Sequence, residues 1–396
     1  MSTASEIYGK MWSEKEYIIV LQSYYQYKES PQHADTPFIR ELSDLLGRTP
    51  HSILYRLQNF TSIDPSVVDP KRKGKAHITE FGRRIFKKWS DNREILKETA
   101  NAFLRDEKLK LEPDLFNPNP IRIPITFNNY ELLDEIGKGN FGIVCSCLNT
   151  KTDKVYALKV IDSSKIYDKD CVSRFSREIK ALKSVEHPNI IQIHEDNLDT
   201  QRDYPGFVMD LADTDLSSFL GDSKNSNKTS QRPLLDTNTA KNILMSILNA
   251  VQTLHESSPP IIHRDINPNN ILRKFDGEWA LADFSLAKFL PPSPTSTTFA
   301  TKTHIGMGTG HYTAPEQYTS LKDADVSSDI YSLGWLMWEL FSSEGPFPRT
   351  DPSGLPKSLE DIFLKAVSYK KKDRYSSVIK MCNEITAALS TIKTNM

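Results

Sequence analysis

Cysteine is scarce in this chain of 396 residues. Cys145, Cys147, Cys171 and Cys382 have neither the number nor the spacing of a disulfide framework or a zinc site. Cys145 and Cys147 alternate on a stretch that reads as a strand, so both thiols share one face and serve core packing. No apolar run reaches the roughly 18 residues that a spanning helix needs, and the first residues carry no signal-peptide core. The expectation is a soluble, cytoplasmic protein. Charge of one sign is missing too. The 50 Lys and Arg stand against 51 Asp and Glu, which excludes a protein that coats nucleic acid along its whole length. What is present, 38% hydrophobic and 26% charged residues, suits globular structure, and the length suits two or three domains.

The first hundred residues read as helices. Trp12, Tyr17, Ile18, Leu21, Tyr24 and Tyr25 recur at helical spacing over residues 12–28, behind a Ser13-to-Glu16 capping pattern. A second helix is expected over Pro37–Leu46, ending at Gly47. Thr49 as cap and Pro50 as first helical residue predict a third. Helix, helix, glycine turn and capped helix form a helix-turn-helix pattern. Residues 40–93 hold 12 Lys and Arg against 6 Asp and Glu, including the run Lys71–Lys75, an excess that fits phosphate contact. Arg56, on the third helix, is the candidate DNA contact, and a solvated helical bundle or a protein-docking module is the alternative. Residues 91–112 read as a further charged helix, and residues 113–124 as a proline-rich linker.

Chemistry concentrates further on. Ile262-His263-Arg264-Asp265-Ile266-Asn267-Pro268-Asn269-Asn270 sets an Asp and an Asn five residues apart in a short loop, and Asp283-Phe284-Ser285 closes the next apolar run. Upstream, Gly137-Lys138-Gly139-Asn140-Phe141-Gly142 lies between two strand-like stretches, so its glycines let a hairpin lie close over phosphates. A dinucleotide-binding turn of similar spacing would need a helix next. Lys159 stands on the following strand, and Glu178 nineteen residues later on an amphipathic helix. Between Asp283 and Ala314-Pro315-Glu316 lies a stretch rich in Ser and Thr (residues 293–303), and residues 221–233 form a polar insertion.

From residue 127 to the end, these motifs in this order resemble the eukaryotic-type serine/threonine protein kinases. The resemblance implies an α+β fold: a two-lobed kinase unit over 127–396, with a small lobe of antiparallel sheet and one helix (127–208) and a mainly helical large lobe (213–396). A helical domain (1–92) and a linker region (93–126) precede it. It implies ATP and Mg²⁺ as cofactors and a protein Ser or Thr hydroxyl as acceptor. Asp265 would orient that hydroxyl, Asn270 and Asp283 would hold Mg²⁺, and Lys159 would pair with Glu178. The nucleotide would lie against Ile136, Gly137, Lys138, Gly139, Asn140, Phe141, Gly142, Val144, Ala157, Lys159 and Leu272. The backbone of Asp210–Ala212 would meet the adenine behind Met209, and Asp215 the ribose. Phe284, His263, Leu182 and Ile193 would stack as an apolar column, Asp329 would support the catalytic loop, and Arg374 would pair with Glu316. Gly308 and Thr309 would belong to the substrate-receiving segment, and Arg264 would dock a phosphorylated loop.

Three positions depart from that family, and one of them, Asn269, stands where an acidic residue often selects basic substrates, so substrate preference is not carried over. Asn267 replaces the usual Lys and cannot supply its charge, while Ser285 replaces a Gly. They leave open a pseudokinase or nucleotide-sensing scaffold as the alternative. Trp12-Ser-Glu-Lys-Glu, Gly47-Arg-Thr-Pro and Leu57-Gln-Asn-Phe resemble a small domain found in front of bacterial HNH nucleases. No nuclease residues follow them.

Overall fold

The structure, a computed structural model, describes residues 12–27, 33–67, 79–105, 129–139, 142–162, 165, 168–197, 205–221, 235–290, 310–342, 352 and 354–391. The helices α1 (Glu14–Tyr27), α2 (Pro37–Leu46), α3 (Pro50–Ile63), α4 (Glu80–Trp89) and α5 (Arg93–Arg105) come first, followed by strands β1 (Tyr130–Lys138), β2 (Gly142–Asn149) and β3 (Lys154–Ile161). Next are α6 (Lys169–Lys183), β4 (Ile193–Asp196), β5 (Gly206–Met209), β6 (Ala212–Asp215), α7 (Leu216–Phe219) and α8 (Thr237–Glu256). The chain ends with β7 (Ile261–Ile262), β8 (Ile271–Lys274), β9 (Trp279–Leu281), β10 (Lys288–Phe289), α9 (Pro315–Thr319), α10 (Val326–Phe341), α11 (Lys357–Ala366) and α12 (Val378–Thr391). The fold is α+β, with an all-helical region before the first strand. It forms two compact units, Met1–Ile166 with Asn197–Val208, and Tyr167–Asp196 with Met209–Met396.

In the first unit, α1 starts with the expected capping box. Ser13 N–H donates to Glu16 at 2.7 Å and Glu16 N–H donates to Ser13 Oγ at 3.2 Å. α2 stops where Gly47 turns left-handed at φ 62°, and Thr49 Oγ1 accepts from Ser52 N–H to start α3. The sequence reading had no counterpart for α4. It is capped by Thr79, buries Ile85 and Phe86, and leaves Arg83, Arg84, Lys87 and Lys88 exposed. These helices share a core of Tyr17, Leu21, Tyr24, Ile39, Leu57, Phe60 and Leu96.

Strands β1, β2, β3 and β5 lie side by side in that order, with β1 antiparallel to β2 and β2 to β3. The β2–β3 register is regular, but β1 slips twice. Leu132 faces Cys147, Glu135 faces Cys145, and Gly137 faces Val144, so each step carries one extra residue on β1. The first extra residue flips the side-chain alternation. Glu131 and Asp134, three apart, can therefore both turn toward the helices, and Ser146 Oγ takes the freed Asp134 N–H at 3.2 Å.

There the helices grip the strand. Trp12 N–H donates to Leu133 O at 3.2 Å, and Tyr17 Oη donates to Asp134 at 2.9 Å. Thr49 Oγ1 donates to Glu131, and Arg48 bridges Glu16 at 2.8 Å and Glu131 at 3.8 Å. Arg56 is fully buried and pairs with Asp134 at 2.5 Å. This corrects the expectation that Arg56 contacts DNA, because the side chain ends in a carboxylate inside the protein.

The second unit is mainly helical. α8 buries a stripe from Ile243 to Leu254, and α10 is buried almost throughout. Gly334 allows α10 to approach α11: a Cβ there would lie 2.8 Å from Ala366 Cβ. A small sheet of β6, β8 and β9 carries the loops that follow. No helix among the described residues is long and apolar enough to cross a membrane.

Candidate active site

In the second unit, β7 delivers the chain to His263 and β8 takes it away after Asn270. Asp329, wholly buried near the start of α10, anchors the loop between them. One carboxylate oxygen accepts from His263 N–H at 2.9 Å and from His255 Nε2 at 2.8 Å, and the other accepts from Arg264 N–H at 2.8 Å. Burial pushes the Asp329 carboxyl up, but His255 and the loop amides outweigh it and hold it below its ordinary value. Arg264 takes a left-handed backbone at φ 71°, which turns the chain back toward Asp265.

The Asp265 carboxylate is held at both ends. Asn267 Nδ2 donates to Oδ1 and Asn270 Nδ2 donates to Oδ2, each at 2.9 Å. Both amides also bond the Asp265 carbonyl, at 3.1 and 2.8 Å. Asn267 Oδ1 in turn accepts from Asn269 N–H at 3.0 Å and caps the helical turn Pro268–Asn270. The Asn267 side chain, foreseen only as a missing charge, is thus a buried brace for Asp265. An amide two residues after a carboxylate at a turn start is the signal that could have shown it.

Asp283 joins the same place through the backbone, since Ala282 N–H donates to Asn270 O at 2.9 Å. Asp283 is left-handed at φ 57°, and its carboxylate accepts from Ser285 N–H at 3.3 Å. Residue 285 lies inside a helical turn with no positive φ, so a serine fits where the family carries glycine. His263 and Phe284 meet edge to face at 4.7 Å, and His263 Nε2 bonds Ala282 O at 3.1 Å. α6 packs on the turn at Phe284–Leu286; its Glu178 and Leu182 are buried, while Ile193 is half-buried.

Other expected residues have definite partners. Asp210 N–H bonds Gln192 O at 3.0 Å, and its carboxylate meets His194 at 2.7 Å. Met209 and Leu272 pack against Ile191, Ala280 and Ala282. Asp215 caps α7, accepting from Ser218 N–H at 2.8 Å and Ser218 Oγ at 2.7 Å. Ala212 pairs with Lys274. Arg374 forks onto Glu316 at 2.8 and 2.9 Å, as expected. Arg264 donates to the carbonyls of Leu286, Leu321 and Ala287. Burial, with Arg177 and Arg174 nearby, lowers its pKa to about 10. Asn140, Phe141, Gly308, Thr309 and the Ser/Thr-rich segment 293–303 lie outside the described residues.

The first unit holds the glycine turn and Lys159. Gly139 N–H bonds Gly142 O at 2.9 Å to close the turn, with Gly137 opposite Val144 and Lys138 opposite Ile143. A Cβ on Gly142 would fall 2.3 Å from Val160 O, so no larger residue fits. Ile136 is exposed and Ala157 is buried. Lys159, half-buried opposite Val144, places Nζ 6.0 Å from the Phe207 ring centre.

Comparison with known proteins agrees with this arrangement. A family model described as protein kinase domain matches residues 130–392. The chain is 30% identical over 284 residues to the probable serine/threonine-protein kinase PknB of Lactococcus lactis, covering 66% of this chain and 42% of that protein. It is 30% identical over 287 residues to the serine/threonine-protein kinase PrkC of Bacillus subtilis, covering 67% and 41%. Against the serine/threonine-protein kinase PknL of Mycobacterium tuberculosis the identity is 25% over 288 residues, covering 68% of each. The chain thus spans about two fifths of the length of the first two relatives. On the family match, with Asp265 and Asn270 on one loop and Asp283 on the next, this chain belongs to the protein kinase domain family.

Proposed function

We propose that this chain transfers the γ-phosphoryl group of ATP to Ser and Thr hydroxyls of proteins, its own segment 293–303 among them. The observation that carries the reading is the Asp265 carboxylate fixed at both oxygens by Asn267 and Asn270 on a loop anchored by Asp329. A carboxylate held this way aligns an acceptor hydroxyl and takes its proton at Oδ1 or Oδ2, so its contribution is alignment before it is basicity. Relatives whose names give serine/threonine-protein kinase support the choice of hydroxyl.

Asn270 spends its Nδ2 on Asp265, which leaves its Oδ1 for a cation, and Asp283 brings a carboxylate. Hard oxygens of this kind suit Mg²⁺, which takes one or two protein oxygens together with phosphate oxygens. Among the described residues no group of three or more His, Cys, Asp or Glu forms a protein-only metal cage. When bound, Mg²⁺ supplies charge neutralisation on the triphosphate. The backbone N–H groups around Gly137 and Gly139 and the positive charge of Lys159 suit phosphates, and the family resemblance implies Glu178 as the carboxylate that would pair with that charge.

The scaffold alternative rests on Asn267 and Ser285. Asn267 lacks the Lys charge but braces the Asp265 carboxylate, and Ser285 sits without strain, so the base and the oxygens for a cation are both retained.

For the helical region we propose the exposed face of α4 (Arg83, Arg84, Lys87 and Lys88) as the place of polyanion contact, with protein docking as the alternative. Neutralising those four residues should abolish salt-dependent binding of duplex DNA; binding that survives in the neutralised protein rules the face out.

The test of the kinase reading is transfer of label from γ-labelled ATP with Mg²⁺, wild type beside Asp265→Asn, followed by mapping of the modified residues. Label on Ser or Thr that falls by roughly 10³-fold in the variant is expected. Absence of label from a wild type that binds ATP would overturn the reading.

A further inference from the structure

We propose that the helical region is a clamp on the nucleotide loop, and that Arg56 is its positioning residue, acting through Asp134 on β1. The inference rests on the phosphotransfer reading above and adds a control point to it.

β1 leads directly into Gly137, and its two register slips fall between Leu132 and Gly137. Bulges loosen a strand from its ladder and re-aim its side chains. Over this stretch β2 alone therefore fixes β1 poorly. The helices supply what the ladder lacks. Asp134, three residues before Gly137, is held by Arg56 at 2.5 Å and by Tyr17 at 2.9 Å, and the Leu133 carbonyl accepts from Trp12 N–H. Glu131, three residues earlier, is held by Thr49 and Arg48.

The grip is rigid because it is buried and bracketed. The Trp12 ring has the Arg48 guanidinium at 5.1 Å and that of Arg56 at 4.9 Å, and Arg56 also lies 4.7 Å from the Tyr17 ring. Among the described residues Arg56 Nε and Nη2 find no hydrogen-bond partner, and the rings of Trp12, Tyr17 and Tyr55 surround them. With Arg56 truncated, Asp134 loses its cation, and the strand before the glycine turn is free to shift at its bulges. A structural role alone would lower stability and leave nucleotide affinity of the folded protein unchanged. A positioning role separates the two.

The experiment uses the full chain, with hydrogen exchange of the backbone amides at 135–139 and titration with a fluorescent N-methylanthraniloyl ATP and Mg²⁺. In folded Arg56→Ala, those amides should exchange faster, and the probe's Kd and the KM for ATP should rise about tenfold while kcat at saturating ATP stays within about twofold. Tyr17→Phe, which removes one hydroxyl, should shift Kd the same way by about twofold to threefold, and Arg56→Ala with Asp134→Ala together should be no worse than the worse single change. If Arg56→Ala does not fold, Tyr17→Phe decides. Exchange at 135–139 and probe affinity both unchanged in a folded variant would overturn the proposal. A wild type that binds no probe would overturn the phosphotransfer reading instead, and the exchange comparison would still decide the clamp.

Discussion

Two buried polar networks in this chain are built differently. Around the loop His263–Asn270, Asp329, Glu316 and Arg374 spend their polar atoms on backbone groups, on His255 and Ser328 and, for Glu316 and Arg374, on each other. Among the described residues none of the three has an unpartnered side-chain atom, although Gln317 Oε1 beside them does. Where the helices meet β1, the partners are mostly carboxylates, hydroxyls and aromatic rings, and among the described residues Arg56 Nε, Arg56 Nη2, Glu131 Oε1 and both Asn59 amide atoms lack hydrogen bonds. A buried polar network that is complete fixes one geometry, whereas an incomplete one costs desolvation that only its charge pairs offset. The first network, nearly complete, therefore fixes its geometry more closely than the second. The second is held by a few strong contacts, so single substitutions should release it.

That contrast can be broken from either side. The largest effect should come from Asp329→Ala, which strands the His263 and Arg264 amides in a dry interior. About 3–5 kcal/mol of stability should be lost, read as the midpoint shift in denaturant, and transfer should be lost with it. Next is Asn267→Ala. The fold should stay within about 1 kcal/mol of wild type, while loss of one brace on Asp265 lowers kcat about tenfold with little change in the KM for ATP. An unchanged kcat would mean that Asn270 alone orients the carboxylate.

The smallest effect is on the acid limb of stability. Burial pushes the Glu316 carboxyl up, but the Arg374 fork and Ser328 outweigh it, and its pKa lies below the ordinary 4.5. Glu16 is held down in the same way by Arg48 and Ser13 against its own burial. A carboxyl depressed in the folded state binds its proton more readily in the unfolded chain. Its contribution is therefore complete above pH 4.5 and is lost as pH falls through the folded value. Thermal melts should show stability falling below that pH, and Arg374→Leu should flatten part of the fall. A fall as steep in the variant as in wild type would remove Glu316 from the account.

The sequence made local features readable and long-range ones hard to see. The Ser13/Glu16 box, the bounds of α2, the start of α3 at Pro50 and the order of loop residues from His263 to Asn270 all depend on neighbours within a few positions. Arg374 with Glu316 was readable only because a family resemblance carried it across 58 residues. Arg56 was read as a free cation because its partner lies 78 residues away on a bulged strand, and nothing local to α3 marks the burial. Regular alternation would have put Asp134 and Glu131 on opposite faces, so the bulge hid the contact twice. α4 escaped because its glycine and its four basic residues mask a short buried edge of Ile85 and Phe86.

The central claim, that Asp265 acts in the transfer step and not in holding the nucleotide, is tested most directly by measuring both on one protein. Asp265→Asn should bind the fluorescent ATP with Mg²⁺ within about threefold of wild type while losing roughly 10³-fold in transfer to Ser or Thr. Transfer that persists at near the wild-type rate in that variant would contradict the account.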